Sequence, residues 1–154
     1  MKTLVTTAIA AATFVTASAA FAQSDFSDEV KARQGQFRIM SINLGILGSM
    51  AKGEIEYDAE AAQAAADTLV AVSTIQQAPL WPEGSDDMSL DGTRAQTTIW
   101  DENADFLSKW ADFGTGAVAL QAAAGGGQAA LAPAMGQIGG SCKACHDKHR
   151  TPEE

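Results

Sequence analysis

Apolar residues recur every three or four positions in four segments of the chain, which is the spacing of one buried face of an α-helix. No stretch of useful length alternates apolar and polar residues as a half-buried strand does. The first segment runs from Val30 to Ala51 and is followed by Gly53, a residue type that often ends helices. The second begins at Asp58, a good N-cap, and continues to about Gln76.

Turn-forming residues separate the later segments. Residues 79–92 contain two prolines and two glycines and are predicted to form a loop. The third helix is expected to begin near Thr98, and the fourth follows the glycines at 125–127. Pro133 is expected in the first turn of that last helix, where its missing N–H breaks no hydrogen bond. Four helices with one longer connection predict an all-α fold, an antiparallel four-helix bundle.

Residues 1–22 have the organisation of a secretory signal peptide. Lys2 supplies the positive charge, residues 4–19 form an apolar segment, and Ala20-Phe21-Ala22 offers an A-x-A cleavage site. The alternative is an uncleaved membrane anchor, but the apolar segment is short and rich in threonine for a spanning helix. The mature domain is therefore predicted to be residues 23–154, which contain no other apolar stretch long enough to cross a bilayer. We expect an exported protein of the periplasm.

Composition narrows the class of partner. The chain has 154 residues and a formal net charge of −9, which disfavours nucleic acid because phosphates are bound by clustered Lys and Arg. The 46% apolar and 19% charged fractions argue against disorder. Two cysteines are too few for a disulfide-framework protein.

The two cysteines lie in Cys142-Lys143-Ala144-Cys145-His146, which is C-x-x-C-H, the attachment sequence for c-type haem. Two thiols three residues apart on a helix point the same way and can each add to a vinyl group of one porphyrin. The next residue then presents an imidazole to the iron.

Three other interpretations of these cysteines compete with haem attachment. A thioredoxin-like C-x-x-C needs strands, which the pattern does not predict. A zinc site could combine Cys142, Cys145 and His149, but four ligands are usual and the chain has only two histidines. A simple disulfide is the third.

The sequence resembles the cytochrome c′ family, the class II c-type cytochromes, over nearly the whole mature chain. The residues that carry the resemblance are Arg33-Gln34 with Phe37 and Met40, Lys52-Gly53 with Tyr57-Asp58, Ile99-Trp100, and the run from Gly139 to Arg150. The family folds as a four-helix bundle around one covalently attached haem c, which is the fold predicted here from periodicity.

The resemblance implies a role for each matching residue. Cys142 and Cys145 match the thioether positions, and His146 matches the proximal iron ligand. The other matches are Arg33 and Gln34 at the haem propionates, Phe37 over the distal face of the iron, Thr97 and Thr98 at the haem edge, and Arg150 beside the proximal histidine. One departure is His149, where family members usually carry Tyr or Phe.

Arg33 has two interpretations that do not depend on the resemblance. A charged residue on a helix seam can extend its stem over apolar neighbours and keep its charge in water. It can also lie there because buried carboxylates need a cation, and Arg binds a carboxylate in planar, bidentate geometry.

The expected function is that of a haem c protein that transfers single electrons, binds NO or CO at a five-coordinate iron, or both. Its redox partner protein is not indicated by the sequence. One alternative is the low-spin branch of the family, in which a methionine binds iron; Met40 is the plausible ligand here. Another is an NO scavenger or sensor without electron transfer. A haem enzyme is not expected, because a peroxidase needs a distal acid–base pair and no histidine is spare.

The first helix carries a second apolar stripe beside its core-facing seam: Ile39, Ile42, Ile46 and Met50. One bundle core uses one stripe, so the second predicts a protein interface, and the resemblance implies a homodimer through the first two helices. The alternative is a wide core-facing surface.

Overall fold

The computed structural model describes residues 25–152, so the predicted signal peptide lies outside the described part. Five helices account for most of this range: α1 (Ser27–Lys52), α2 (Ala59–Ser73), α3 (Thr98–Asp101), α4 (Asn103–Ala124) and α5 (Gln128–His149). A 3-10 turn at Ala78–Leu80 lies in the long connection between α2 and α3. Between residues 25 and 152 the only β-type pairing is an isolated bridge from Ala95 to Arg150. The predicted all-α fold is confirmed.

The four long helices form an antiparallel bundle. Helix α1 packs against α2 and α5, and α4 packs against the same two helices. Short connections join α1 to α2 and α4 to α5, whereas residues 74–97 form the one long connection. As a result α1 and α4 begin, and α2 and α5 end, at the same end of the bundle. The cysteine motif and the start of α1 lie together at that end.

The ends of α1 and α2 follow local chemistry. Gly53 closes α1 in the left-handed conformation, with φ of 72°, and donates its N–H to the carbonyl of Met50. This conformation is open to glycine without the steric cost of a Cβ. The Asp58 carboxylate accepts a hydrogen bond from the N–H of Ala61 at 2.9 Å, which caps α2 as predicted.

Two predicted helix boundaries are wrong. Helix α2 ends at Ser73 and not near Gln76, because the Ser73 and Thr74 hydroxyls bond to the carbonyls of Val70 and Ala71. Such local side-chain bonds compete with continuation of a helix. The third segment starts at Thr98 as expected but is interrupted at Glu102, where φ and ψ are −122° and 44°, so it becomes α3 and α4.

The prediction for Pro133 is also wrong. Helix α5 begins at Gln128, which places Pro133 inside the helix and not in its first turn. The proline has no N–H to donate to the carbonyl of Ala129. Both residues are exposed, so water can bond to that carbonyl and the proline is tolerated.

The bundle core is aliphatic and fully closed at its centre. Its most deeply buried large side chains, each with an exposed fraction of 2% or less, come from all four long helices and include Leu47, Leu69, Leu120, Leu131 and Ile138. Helices α4 and α5 approach closely at Gly116, where an added Cβ would lie 3.1 Å from the Cα of Ile138. Glycine destabilises an isolated helix, but at this position its lack of a Cβ permits the close contact between α4 and α5.

The second apolar stripe of α1 is only partly exposed. Ile39 and Ile42 have exposed fractions of 44% and 63%, and Ile46 is half-buried. Met50 is 3% exposed and belongs to the bundle core, so its place in the stripe was wrong. Among residues 25–152, no helix has the length and apolar character needed to cross a membrane.

The Tyr57 hydroxyl joins the α1–α2 connection to the α4–α5 connection at the end of the bundle opposite the cysteine motif. It donates to the carbonyl of Ala124 at 2.5 Å and accepts from the N–H of Gly127 at 3.2 Å.

We predict that Tyr57→Phe lowers the free energy of unfolding by about 1–2 kcal/mol, because a partly buried carbonyl and an N–H lose their partner. Urea denaturation measures this. Thr115→Val, which removes an exposed hydroxyl, is the control and should change stability by only about 0.5 kcal/mol or less. A Tyr57→Phe protein as stable as the control would contradict the prediction.

Candidate functional site

A cavity of about 550 Å³ opens at the end of the bundle that carries the cysteine motif. Its walls come from the start of α1, the start of α4, the end of α5 and the connection between α2 and α3. The lining is largely aromatic and aliphatic, with a small number of polar groups, as is usual for a cofactor site. The apolar part of the wall is formed by Phe37, Met40, Leu44, Trp81, Ala95, Ile99, Phe106, Trp110 and Phe113.

Helix α5 brings the whole motif to this cavity. Cys142, Cys145 and His146 all line it, because positions i, i+3 and i+4 share one face of a helix. Both cysteines are free thiols. Burial, with a smaller contribution from the neighbouring Cys142, raises the pKa of the Cys145 thiol to about 11. Burial also raises the pKa of Cys142, so both groups stay protonated at neutral pH.

His146 stands at the exposed mouth of the cavity. Partial desolvation lowers the pKa of its imidazole, and the positive charge of Arg94 lowers it further. The neutral ring that results keeps a lone pair for a metal. The guanidinium Nη1 of Arg150 lies 3.3 Å from Nδ1 of His146, so the two residues that the resemblance pairs are adjacent here.

The α1 wall presents Phe37 to the same cavity. Its ring lies edge-on to those of Trp81 and Trp110, with centroids 6.3 Å apart in both pairs, which fixes its orientation. Met40, 7% exposed, and Leu44 line the cavity one and two turns further along α1. Phe37, Met40 and Leu44 therefore give α1 an apolar stripe along the cavity, and the polar residues that α1 adds to the wall are Arg33, Gln34, Arg38 and Ser41.

Arg33 is buried, with 2% of its surface exposed, and both its terminal nitrogens are engaged by the long connection. Nη1 donates to Oγ of Ser85 at 2.7 Å, and Nη2 donates to the Ser85 carbonyl at 2.5 Å and to Oγ1 of Thr93 at 2.8 Å. The guanidinium carbon lies 4.4 Å from the Trp81 ring centroid, a cation–π contact. Desolvation lowers the pKa of Arg33 to about 10, so the side chain is still charged at neutral pH. The snorkelling interpretation is wrong, since the charge is not in water.

The other residues proposed at the haem edge have different positions. Gln34 lines the cavity and donates to the carbonyl of Gly92 at 2.7 Å. Thr97 and Thr98 are not among the residues that line it, and their place at the haem edge stays a prediction. Thr97 is exposed where α3 begins, and the Thr98 hydroxyl is bonded to the carbonyl of Lys148 at 2.8 Å. The tight pairing of residues 94–98 with the end of α5 turns Thr98 away from the cavity.

Positive charge is concentrated around the cavity. No Asp or Glu side chain lines it. Five basic side chains do, which are Arg33, Arg38, Arg94, Lys109 and Arg150. This sign is opposite to the net charge of the chain, and it suits a ligand that carries carboxylates. Arg94 and Lys109 were missed by sequence reasoning, because neither stands in a motif.

The aromatic wall was only half recognised from the sequence. Phe106, Trp110 and Phe113 are four and three residues apart, a spacing typical of the core-facing side of a helix, and all three are buried or half-buried while also lining the cavity. Trp81 was missed, because it stands in a segment interpreted as a loop. Its position between Leu80 and Pro82 was the available signal for an ordered connection.

The alternatives for the cysteines fit the geometry less well. Both ring nitrogens of His149 are engaged by other side chains, Nδ1 with Thr98 and Nε2 with Asp105, so this ring does not face the thiols as a zinc ligand would. In the part of the chain that the structure describes, no group of three or more His, Cys, Asp or Glu side chains is placed to hold a metal ion.

Comparison with known proteins agrees with this geometry. A family model described as cytochrome C′ matches residues 28–150. Cytochrome c′ of Cereibacter sphaeroides is 40% identical over 132 residues, covering 86% of this chain and 89% of that protein. A solved cytochrome c′ from a Rhodobacter species superposes with a TM-score of 0.81 at 39% identity, covering 84% of this chain and 100% of that one.

A third similar structure is a nitric oxide complex of a cytochrome c prime variant from Alcaligenes xylosoxidans. It has a TM-score of 0.71 and 33% identity, and it covers 82% of this chain and 97% of that one. The two thiols, the imidazole and the cations of one cavity fit a porphyrin with two vinyl groups and two propionates. The chain therefore belongs to the cytochrome c′ family and binds that family's cofactor, one covalently attached haem c.

Proposed function

We propose that this protein is a periplasmic haem c protein that binds NO or CO at a five-coordinate iron and transfers single electrons. The observation that carries the proposal is the composition of the cavity wall. The α5 side offers the His146 imidazole beside two thiols, whereas the other imidazole of the lining, His149, has both ring nitrogens engaged by Thr98 and Asp105. The α1 side offers the Phe37 ring, which has no lone pair. The predicted signal peptide supports the periplasmic location, where covalent attachment keeps a cofactor from being lost.

Three residues of α5 hold the cofactor in this proposal. Cys142 and Cys145 form the thioethers, and His146 is the one protein ligand of the iron. The positive charges of the wall, together with Gln34, attract and hold the propionates. When bound, the haem supplies an iron that changes between two oxidation states and accepts a sixth ligand from solution.

Phe37 and its aromatic neighbours select among such ligands. Their rings exclude water from the α1 side, and the indole N–H groups of Trp81 and Trp110 are already bonded to Gln77 and Ser73, so the rings offer no free donor to a bound anion. A neutral diatomic gas needs no such donor and is therefore favoured. The Alcaligenes protein supports the binding of such gases, since variants of it have been solved with nitric oxide and with carbon monoxide bound.

Two other functions in the same family remain as alternatives to test. A low-spin electron carrier would use Met40, which lines the cavity but lies one turn beyond the Phe37 ring. A gas scavenger or sensor would share the five-coordinate iron and lack a redox partner. We infer no enzymatic role, because a distal acid–base pair is not present on the α1 wall.

A homodimer through α1 and α2 is part of the proposal. Ile39 and Ile42 are exposed next to each other on the outer face of α1, and Ile46 continues the stripe. Apolar side chains grouped on one face of a helix mark an interface more often than isolated ones do.

The first prediction concerns covalent attachment. The exported mature protein should exceed its polypeptide mass by one haem, which mass spectrometry measures, and acid–organic solvent should not extract the haem. The double variant Cys142→Ala/Cys145→Ala is the control, and any haem it carries should be extractable. Haem that leaves the unmodified protein in the same solvent would refute thioether attachment.

The second prediction concerns the distal wall. Replacing Phe37 with Ala should speed CO binding to the ferrous protein by about tenfold or more, a change equivalent to about 1.4 kcal/mol of barrier. Flash photolysis or stopped-flow mixing measures the rate. Leu120→Ala, which opens the core away from the cavity, should destabilise the bundle and leave the rate unchanged. A low-spin spectrum without a CO adduct in the unmodified protein would favour methionine ligation instead.

The third prediction concerns association. Light scattering at micromolar concentration should give a dimer mass, and Ile42→Glu should weaken the dimer about tenfold or more, because a carboxylate is costly to bury. Val118→Glu is a matched control, since Val118 is similarly exposed, at 54%, on α4. A monomer mass for the unmodified protein would count against the dimer.

A further inference from the structure

Two glutamines, Gln36 of α1 and Gln77 of the long connection, are buried side by side next to the cavity wall. Each has only 4% of its surface exposed, and neither is among the residues that line the cavity. Gln77 directly precedes the 3-10 turn at Ala78–Leu80. A primary amide has two N–H donors and an oxygen with two lone pairs, so its burial is costly unless these groups are bonded. The binding of a cofactor in the cavity does not by itself explain why this pair is there.

The Gln77 amide uses its whole hydrogen-bonding capacity. Its Oε1 accepts from Nε2 of Gln36 at 2.9 Å and from the indole Nε1 of Trp81 at 3.0 Å. Its Nε2 donates to the carbonyl of Ile75 at 2.9 Å and to Oε1 of Gln36 at 3.3 Å. Both lone pairs and both N–H groups of Gln77 are therefore occupied.

The partners of Gln77 allow only one orientation of its amide. The Trp81 indole N–H can only donate, and the Ile75 carbonyl can only accept. Turning the amide over would bring its NH2 group to the indole N–H and its oxygen to the carbonyl, and both contacts would become repulsive. The Gln77 oxygen is consequently fixed towards Trp81, and Gln36 supports that orientation through both of its bonds.

The Trp81 ring belongs to the cavity wall and is packed against other rings and a cation. Its centroid lies 5.0 Å from that of Phe106 and 6.3 Å from that of Phe37, and the Arg33 guanidinium carbon lies 4.4 Å away. These contacts involve the faces and edges of the indole and do not depend on which edge carries the nitrogen. The hydrogen bond does, because an N–H must point at its acceptor. An indole turned over in the same space would bury its N–H without a partner, so the bond to Gln77 selects one orientation of the ring.

We propose that Gln77 is a positioning residue for the distal wall: it fixes Trp81 through the indole N–H, and Trp81 in turn fixes Phe37. This inference rests on the proposed role of Phe37 in controlling the access of gases. A Trp81 ring with one orientation leaves Phe37 one arrangement, and an entering gas then meets one barrier. Without the Gln77 acceptor, Trp81 gains a second orientation, the Phe37 ring is held less firmly, and that barrier is lower.

The test compares two substitutions of the same amide pair in the haem-loaded protein. Gln77→Leu removes the acceptor of Trp81, whereas Gln36→Leu is the matched control that keeps the bonds from Gln77 to Trp81 and to Ile75. Both variants lose hydrogen bonds of a buried amide, so both should lower the melting temperature by about 3–6 °C. A loss of stability alone therefore does not distinguish them.

The indole N–H of Trp81 provides a direct readout of its position. Proton NMR of the ferrous CO complex, which is diamagnetic, resolves the indole N–H resonances, and Trp81→Phe assigns this one by its disappearance. In Gln77→Leu the resonance should move upfield and exchange with D2O about tenfold faster or more, because the N–H has lost its acceptor. In Gln36→Leu its position and its exchange rate should stay as in the unmodified protein.

The rate of CO binding to the ferrous protein tests the connection from Trp81 to Phe37. It should rise about threefold in Gln77→Leu, less than the tenfold expected for Phe37→Ala, because the ring is loosened and not removed. Gln36→Leu should leave the rate unchanged. In a Trp81→Phe background, Gln77→Leu should have no further effect on the rate, because Gln77 acts only through the indole N–H.

Three results would overturn the proposal. The first is an equal effect of Gln36→Leu and Gln77→Leu on the CO rate, which would mean that the pair acts through stability alone. The second is a Trp81 indole resonance that Gln77→Leu leaves unchanged, and the third is an undiminished effect of Gln77→Leu in the Trp81→Phe background.

A second variant covers the case in which Gln77→Leu does not fold. Gln36→Leu/Gln77→Leu replaces both amides with apolar side chains, which leaves no unpaired amide and is nearly neutral for stability. It should show the same changes in the Trp81 resonance and in the CO rate. Failure of the proposed function would appear separately, as a low-spin reduced protein that forms no CO adduct. That form is itself diamagnetic, and a Trp81 resonance unaffected by Gln77→Leu there would overturn the role of Gln77 as well.

Discussion

The buried charge of Arg33 is the contact on which the architecture of the site depends. The connection between α2 and α3 has local turn bonds and pairs at its end with α5, but the hydrogen bonds that join it to α1 come from side chains. Arg33 reaches out of α1 and binds Ser85 and Thr93 of this connection, and its guanidinium lies on Trp81. A buried guanidinium is stable only when such partners replace water. Removing it would release Trp81, and with Trp81 one of the two rings that orient Phe37.

The same interaction determines how Arg33 acts on a ligand. Its terminal nitrogens point to Ser85 and Thr93, so the bidentate carboxylate geometry inferred from the sequence is not the geometry observed. Its positive charge nevertheless remains in the cavity wall, among the other basic residues. In a site with little water, a fixed charge attracts a carboxylate without a direct hydrogen bond. Arg33 thus combines a structural role with an electrostatic one.

Sequence reasoning recovered what depends on local periodicity and failed where distant segments meet. The helical seams, the Asp58 cap and the C-x-x-C-H motif are local patterns, and each indicated its structure correctly. Other features depend on residues far along the chain. Lys148 pairs with Glu102, where the helix breaks, and its carbonyl accepts the Thr98 hydroxyl. Met50 is buried by the bundle core. The cavity wall shows the same division. The residues that α1 and α5 contribute follow helical spacing and could be predicted. Trp81 and Arg94 lie in the irregular connection between α2 and α3, whose path no local sequence pattern predicts.

The origin of the cavity walls has a consequence for unfolding. Phe37 and Arg33 come from the first helix, and the cysteines and His146 come from the last, so the walls meet only when both ends of the chain are in place. A cofactor that is attached to α5 and packs against α1 links two helices that could otherwise unfold separately. Its contacts with α1 are then lost only in global unfolding, and amide hydrogens in α1 and in the last turns of α5 should exchange with solvent as slowly as those of the central core. Within residues 25–152, neither of these two helices is then a separate unit from which unfolding can begin.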